Sequence, residues 1–344
     1  MLPNENQSDA FLEGNAMVGD LPIYVIGGHV RQNLFCKLEE WQSCDNAMVV
    51  RLDPLTEKSN ICVEYSSPPE SCPVENPAIL FKAASIRDDM FYACTSTEVL
   101  VYRLPKLEPV NRISLPCFND LHHVCPTSRG TLAVAVTGLD MVVEISATTG
   151  ELIREWNVLG ENPWARFSKE TDYRRVPTTK PHRSHPNHVF ELNGELWVTR
   201  FEQRDAACLT ASYRIDLAVE RPHDGLLFQG FLYFTTVDGH IVLVDTKSLT
   251  VTQVHDLNKM HPEPRQILGW CRGLLPLDER YVWVGFTRVR PTRFKENLAW
   301  IRNRGGLHKP SHIGLYDLQK QKCVREIALE PHGIGVVFSL FRAM

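Results

Sequence analysis

Histidine recurs at the head of apolar runs in this chain, in "LHHV" (121–124), "SHPNHVF" (184–190), "RPHDGLLF" (221–228) and "EPHGIGVVF" (330–338). Imidazoles gathered from separate segments support two kinds of chemistry. Their neutral nitrogens bind a transition metal, and a group titrating near ~6.5 moves protons at neutral pH. Aligning the segments on the strand that each begins places Lys82, His123, His188, Asp224 (with His223 beside it), Arg272 and His332 at one level. None of these is apolar. A packed core would not accept so much unpaired charge, so the set reads as the lining of a solvated site.

Two site chemistries follow. In the first, His123, His188, His223 and His332 hold a divalent transition metal (iron, copper, zinc or manganese), and Asp224 orients a ligating imidazole. In the second, Lys82 and Arg272 clamp an anionic group while a histidine acts as general acid or base. Both readings expect a small anionic substrate, with lyase, hydrolase and oxygenase chemistry all open. No G-x-S-x-G, Walker-type loop or H-E-x-x-H is present, and no nucleotide cofactor is expected. Cys271 beside Arg272 reads as a buried thiol before a nucleophile.

Only a closed architecture brings such distant segments together. The chain shows almost no helical periodicity. Short runs rich in Val, Ile, Leu, Phe and Tyr alternate with Gly, Asp, Asn and Pro. "GTLAVAVTGLDMVVEISATTGELIREW" (130–156) and "GFLYFTTVDGHIVLVDTKSLTVTQV" (230–254) share one plan of strand, tight turn, strand, polar turn and strand. Residues 89–115 repeat it, and 312–329 repeat its second half. With the apolar segment before each, these become four-stranded units spanning 79–115, 118–158, 185–220, 222–256 and 268–329. A period of roughly 40–50 residues marks propeller blades. The N-terminus supplies three strands without an inner one, and "HGIGVVFSLF" at the C-terminus is a lone strand. Pairing the ends completes a sixth blade and removes two open edges. The expected fold is an all-β, six-bladed propeller over residues 20–344, preceded by a polar tail at 1–19.

The repeat plan resembles that of bacterial propellers with YncE-like or NHL-like repeats. That resemblance implies the fold and little about activity, because this architecture hosts enzymes and scaffolds alike.

Two insertions break the rhythm, at 160–184 and 287–311. Both connect strands on the face where inner strands begin, so both are expected to overhang the histidine level. Arg174 and Arg175 in the first, and Arg288 and Arg290 in the second, are candidates for binding the anion. The same basic loops suit a protein partner or a second copy of the chain, and a non-catalytic scaffold is the rival reading. A net charge of -4 argues against nucleic acid and anionic membrane. No apolar run approaches ~18 residues, and ten cysteines without a C-x-x-C pair suit a reducing, cytoplasmic setting.

Overall fold

The computed structural model describes residues 18–31, 42–75, 77–263, 266–289 and 308–344. Six antiparallel four-stranded sheets form a β-propeller. Blade 1 runs from the strand Ser85–Arg87 to Glu108–Ile113, and blade 2 from Leu121–Pro126 to Leu152–Asn157. Blade 3 runs from Pro186–Leu192 to Arg214–Asp216, and blade 4 from Leu226–Phe228 to Val251–Asp256. Blade 5 runs from Trp270–Pro276 to Lys322–Ala328. The first-named strand of each is innermost, and inner strands contact one another from blade 1 through blade 4 and between blades 5 and 6.

Both chain ends build blade 6. Its inner strand, Val336–Arg342, pairs antiparallel with Ile23–Val30, and the sheet continues outward through Cys44–Leu52 and Ser59–Tyr65. At this seam the backbones approach closely. A Cβ on Gly27 would lie 1.8 Å from the carbonyl oxygen of Val336, so only glycine fits where the register slips between Ile26 and Gly27.

Burial follows from the radial layering. Middle strands are covered on both faces by neighbouring blades, so Met141–Ser146 is a nearly continuous apolar run. Outer strands face water, and Leu152 and Ile153 at the rim are 44% and 49% exposed. The greasy layers lie between blades. One joins blades 5 and 6 through Trp283, Ile313, Leu315, Val25, Val50 and Leu340. Along the axis polar side chains gather around Phe338.

Candidate functional site

Four inner strands carry a β-bulge near the end from which they start, that of blade 6 falling at Phe338 opposite Ile26 and Gly27. Pairing slips between Leu121 and His123 in blade 2, between Pro186 and Val189 in blade 3, and between Cys271 and Leu274 in blade 5. A bulge breaks strict alternation and re-aims side chains. Here it turns His122, Asn187 and Arg272 toward the centre. The ring of His122 lies 6.0 Å from that of His223 and 6.3 Å from that of Phe338. His223 and Phe338 are 5.5 Å apart, and the Arg272 guanidinium sits 4.5 Å over the Phe338 ring. Blade 6 adjoins neither blade 2 nor the blade that follows His223. Contacts between them occur only on the central axis.

Hydrogen bonds fix the protonation pattern. The side-chain amide of Asn187 donates to the carbonyl of Pro222 (3.0 Å), which leaves its oxygen facing His122 Nδ1 at 2.5 Å. His122 must therefore carry its proton on Nδ1, and its Nε2 is a bare lone pair. That nitrogen points toward Asp120, 3.5 Å away. Lys82 donates to the same carboxylate oxygen. His223 repeats the pattern. Its Nδ1 donates to Asp224 at 3.3 Å, and its buried Nε2 has no partner.

Burial pushes His122 down to about 3, with the Lys82 charge adding to the effect and Asp120 opposing it. Burial also lowers His223, against the pull of Asp224. For Asp120 burial works against ionisation, yet the Lys82 ammonium beside it holds its carboxyl well below the usual range. The level thus presents neutral imidazoles, one carboxylate and two cations.

The first insertion and the residue that follows it deliver two more imidazoles. His182 and His185 share a 2.8 Å Nδ1–Nδ1 hydrogen bond, and the His185 ring meets His122 edge-on at 4.8 Å. Asp140 organises this loop. Its carboxylate accepts the backbone N–H groups of Arg183, Ser184 and His185 at 2.8, 2.9 and 2.9 Å. It also receives the Arg166 guanidinium at 2.7 Å. The Asp140→Ala protein should lose about 3 kcal/mol, because four donors around a buried carboxylate are orphaned together. Urea unfolding reads the loss, and amide exchange at 183–185 should rise with it. An unchanged midpoint would mean that other contacts hold the loop.

The structure gathers some sequence-predicted residues and separates others. Lys82, His223 and Arg272 stand at the axial level. The histidine of "LHHV" that faces the axis is His122; His123 is a correction, because the bulge rotates it between blades. There it accepts the Val189 N–H on Nδ1 (3.1 Å), donates from Nε2 to Ser85 (2.9 Å) and stacks on His188 at 3.6 Å. His188 and Asp224 lie just below the level, facing a cavity. His332 is a second correction. It ends the short 3-10 turn Glu330–His332 and bonds to Ser59 of the outermost strand at 2.8 Å, on the rim of blade 6. The four imidazoles expected to hold a metal therefore do not converge. Among the described residues no group of three or more His, Cys, Asp or Glu is placed to hold an ion.

The candidate arginines of the insertions are engaged within the protein. Arg174 is bidentate on Asp172 (2.8 and 2.7 Å), Arg175 donates to the carbonyls of Pro69 and Cys72, and Arg288 is bidentate on Glu330 (2.7 Å each). Arg290 lies outside the described residues. Sequence reasoning missed Asp120, Asn187, Asp140 and Phe338. Asp120 and Asp140 each adopt positive φ (49° and 53°), where Asp is among the few tolerated side chains. An Asp closing a turn before or inside a blade was the available signal.

No protein-family model matches the chain, and no curated protein matches it by sequence. Solved structures do resemble it. A protein of unknown function from Bacteroides caccae superposes with a TM-score of 0.57 at 12% identity, covering 93% of this chain and 98% of that one. A chain of a nidogen/laminin complex gives 0.55 at 10%, covering 92% and 97%. Virginiamycin B lyase from Staphylococcus aureus gives 0.44 at 13%, with 69% of each chain covered. At these identities the likeness is one of fold, and the chain is a six-bladed β-propeller.

Proposed function

We propose that the protein is an enzyme that acts on a small anionic substrate at the mouth of its axis, by proton transfer through His122 and His223. One observation carries the reading. Two neutral imidazoles have Nδ1 fixed by Asn187 and Asp224, and neither Nε2 carries a proton: that of His122 lies beside the Lys82–Asp120 pair, and that of His223 is buried without a partner.

An imidazole held at about 3 is a weak base, but part of that depression comes from the Lys82 charge. An anion bound to Lys82 offsets that charge and makes His122 more basic at the moment the substrate is in place. The proton then passes from the substrate to His122 Nε2. The resulting imidazolium is stabilised by Asn187 on one side and Asp120 on the other. Removing a proton from the carbon beside the anionic group leads to elimination when the next carbon bears a leaving group. That group departs with its bonding pair as the C–H pair becomes the double bond. On a substrate without one, the same base activates a water for hydrolysis. No step is routed through a metal, because the expected histidine set does not converge.

Incubating the protein with pooled small carboxylates and phosphates tests the proposal. Consumption of one component is expected, with kcat falling 10²- to 10⁴-fold in His122→Gln. Lys82→Met should act chiefly on KM. Elemental analysis of protein purified without a metal-affinity tag accompanies the assay. Turnover indifferent to both changes, or the absence of any anion binding, would favour the scaffold reading instead.

A further inference from the structure

Below the stacked His123–His188 pair the axis holds a cavity of ≈ 120 Å³. With ~30 Å³ per water, it accommodates roughly four waters or an organic molecule of similar size. Blades 1, 3, 5 and 6 contribute Ser85, His188, Leu274, Ser339 and Phe341, and Asp224 approaches from the head of blade 4. The lining contains one carboxylate and neither Lys nor Arg.

That carboxylate is incompletely satisfied. The Asp224 side chain is 5% exposed. Its Oδ2 accepts from the Thr235 hydroxyl (2.5 Å) and the Gly273 N–H (2.9 Å). Its Oδ1 has only the long 3.3 Å contact from His223, and among the described residues no Lys or Arg forms a salt bridge to it. A buried carboxylate to which no described Lys or Arg forms a salt bridge favours a positively charged guest.

His188 points the same way. It is 9% exposed, and its Nδ1 has no hydrogen-bond partner. Stacking on His123 fixes the plane of its ring. Ser85 Oγ accepts from His123, and Ser339 Oγ accepts from the Ala84 N–H (3.0 Å), so each hydroxyl keeps a lone pair for a further donor. Leu274 and Phe341 supply the apolar wall, and Phe341 is half-buried at the outlet. Burial and the neighbouring His123 hold His188 well below its ordinary pKa, so it meets a guest as a neutral acceptor.

We propose that this cavity is a second binding site, sharing Asp224 with the cluster at the mouth, that takes a small alkylammonium ion. The ammonium group sits between Asp224 Oδ1 and His188, and the alkyl part lies against Leu274 and Phe341.

The test titrates n-propylammonium into protein labelled with ¹⁵N in its histidine rings, with 1-propanol and propionate as neutral and anionic controls. Saturable movement of the His188 resonances by the amine alone is expected. Asp224→Asn, which keeps the shape of the side chain, should weaken binding about tenfold to a hundredfold. Leu274→Phe should abolish it by filling the space, which keeps the proposal testable should the asparagine variant fold poorly. A wild-type protein that shows no saturation overturns the site. Equal binding of 1-propanol, or no loss in Asp224→Asn, would make it a pocket for water and neutral solutes. Movement of His122 with His188 unchanged would place the amine at the mouth and overturn the proposal, without bearing on anion turnover there.

Discussion

A chain ending at Gly335 is expected to show no cooperative unfolding transition. The deleted strand Val336–Arg342 is the inner strand of blade 6, hydrogen-bonded to Ile23–Val30 from Ile23↔Arg342 to Gly28↔Val336. Val336, Val337, Phe338 and Leu340 within it are 6%, 0%, 3% and 1% exposed. Fully burying such side chains contributes about 1.5–3 kcal/mol each. Their joint loss is on the order of 8 kcal/mol, comparable with the whole stability of an ordinary domain. The deletion also opens the ring and bares the edge of Ile23–Val30, a template for aggregation. Thermal and urea melts followed by circular dichroism read the outcome, and a synthetic peptide spanning 334–344 should restore a transition when added back. Gly27→Ala probes the same seam without shortening the chain. Its methyl group has no room beside the Val336 carbonyl, so a loss of about 3 kcal/mol is expected. Wild-type melting of the truncated protein would show that closure through the two ends does not hold the ring.

The closure was legible because it follows from counting strands. Each blade announces its second and third strands with apolar runs and a polar turn, and the leftover strands at the two ends can pair only with each other. Strand phase was harder. Adjacent residues on a regular strand face opposite ways, a rule that admits one of His122 and His123 to the axis without saying which. The slip between Leu121 and His123 decides it, and nothing in "LHHV" marks a bulge. His332 failed for a different reason. Aligning on histidine starts the inner strand too early, whereas Gly333, at φ 80°, ends the 3-10 turn and the strand begins only at Val336. Asn187 and Asp140 act through hydrogen bonds to backbone groups far along the chain, and such partners have no signature in spacing. The basic insertions were read as free charge. Their carboxylate partners Asp172 and Glu330 were present in the sequence, but only the folded chain brings Glu330 back to Arg288.

Acidification from pH 7 to pH 5 should remove a large part of the folding free energy, with nearly three protons taken up on unfolding at the lower value by His122, His123 and His312 alone. Burial pushes His122 to about 3, and His123 and His312 to about 4, whereas an unfolded histidine titrates near ~6.5. Between those limits the unfolded chain binds protons that the folded chain refuses. Stability therefore rises with pH across this window and falls as pH drops through it. At pH 5 each of the three contributes about 2 kcal/mol of loss, and together about 6 kcal/mol. His182, His185, His188 and His223 are shifted in the same direction and steepen the slope. The depressed carboxylates act elsewhere. Asp120 lies well below its usual range and Glu326 at about 2, so their contribution is intact above an unfolded carboxyl's ~4 and is lost only below it. Urea unfolding at half-unit steps between pH 7 and pH 5 measures the slope. His312 stacks on Phe286 away from the axis, so His312→Phe should lower the proton uptake by about one and leave the axial share in place. A stability profile flat over this range would mean that the folded protein protonates its imidazoles as readily as water does, and the neutral bases required at the mouth of the axis would not exist.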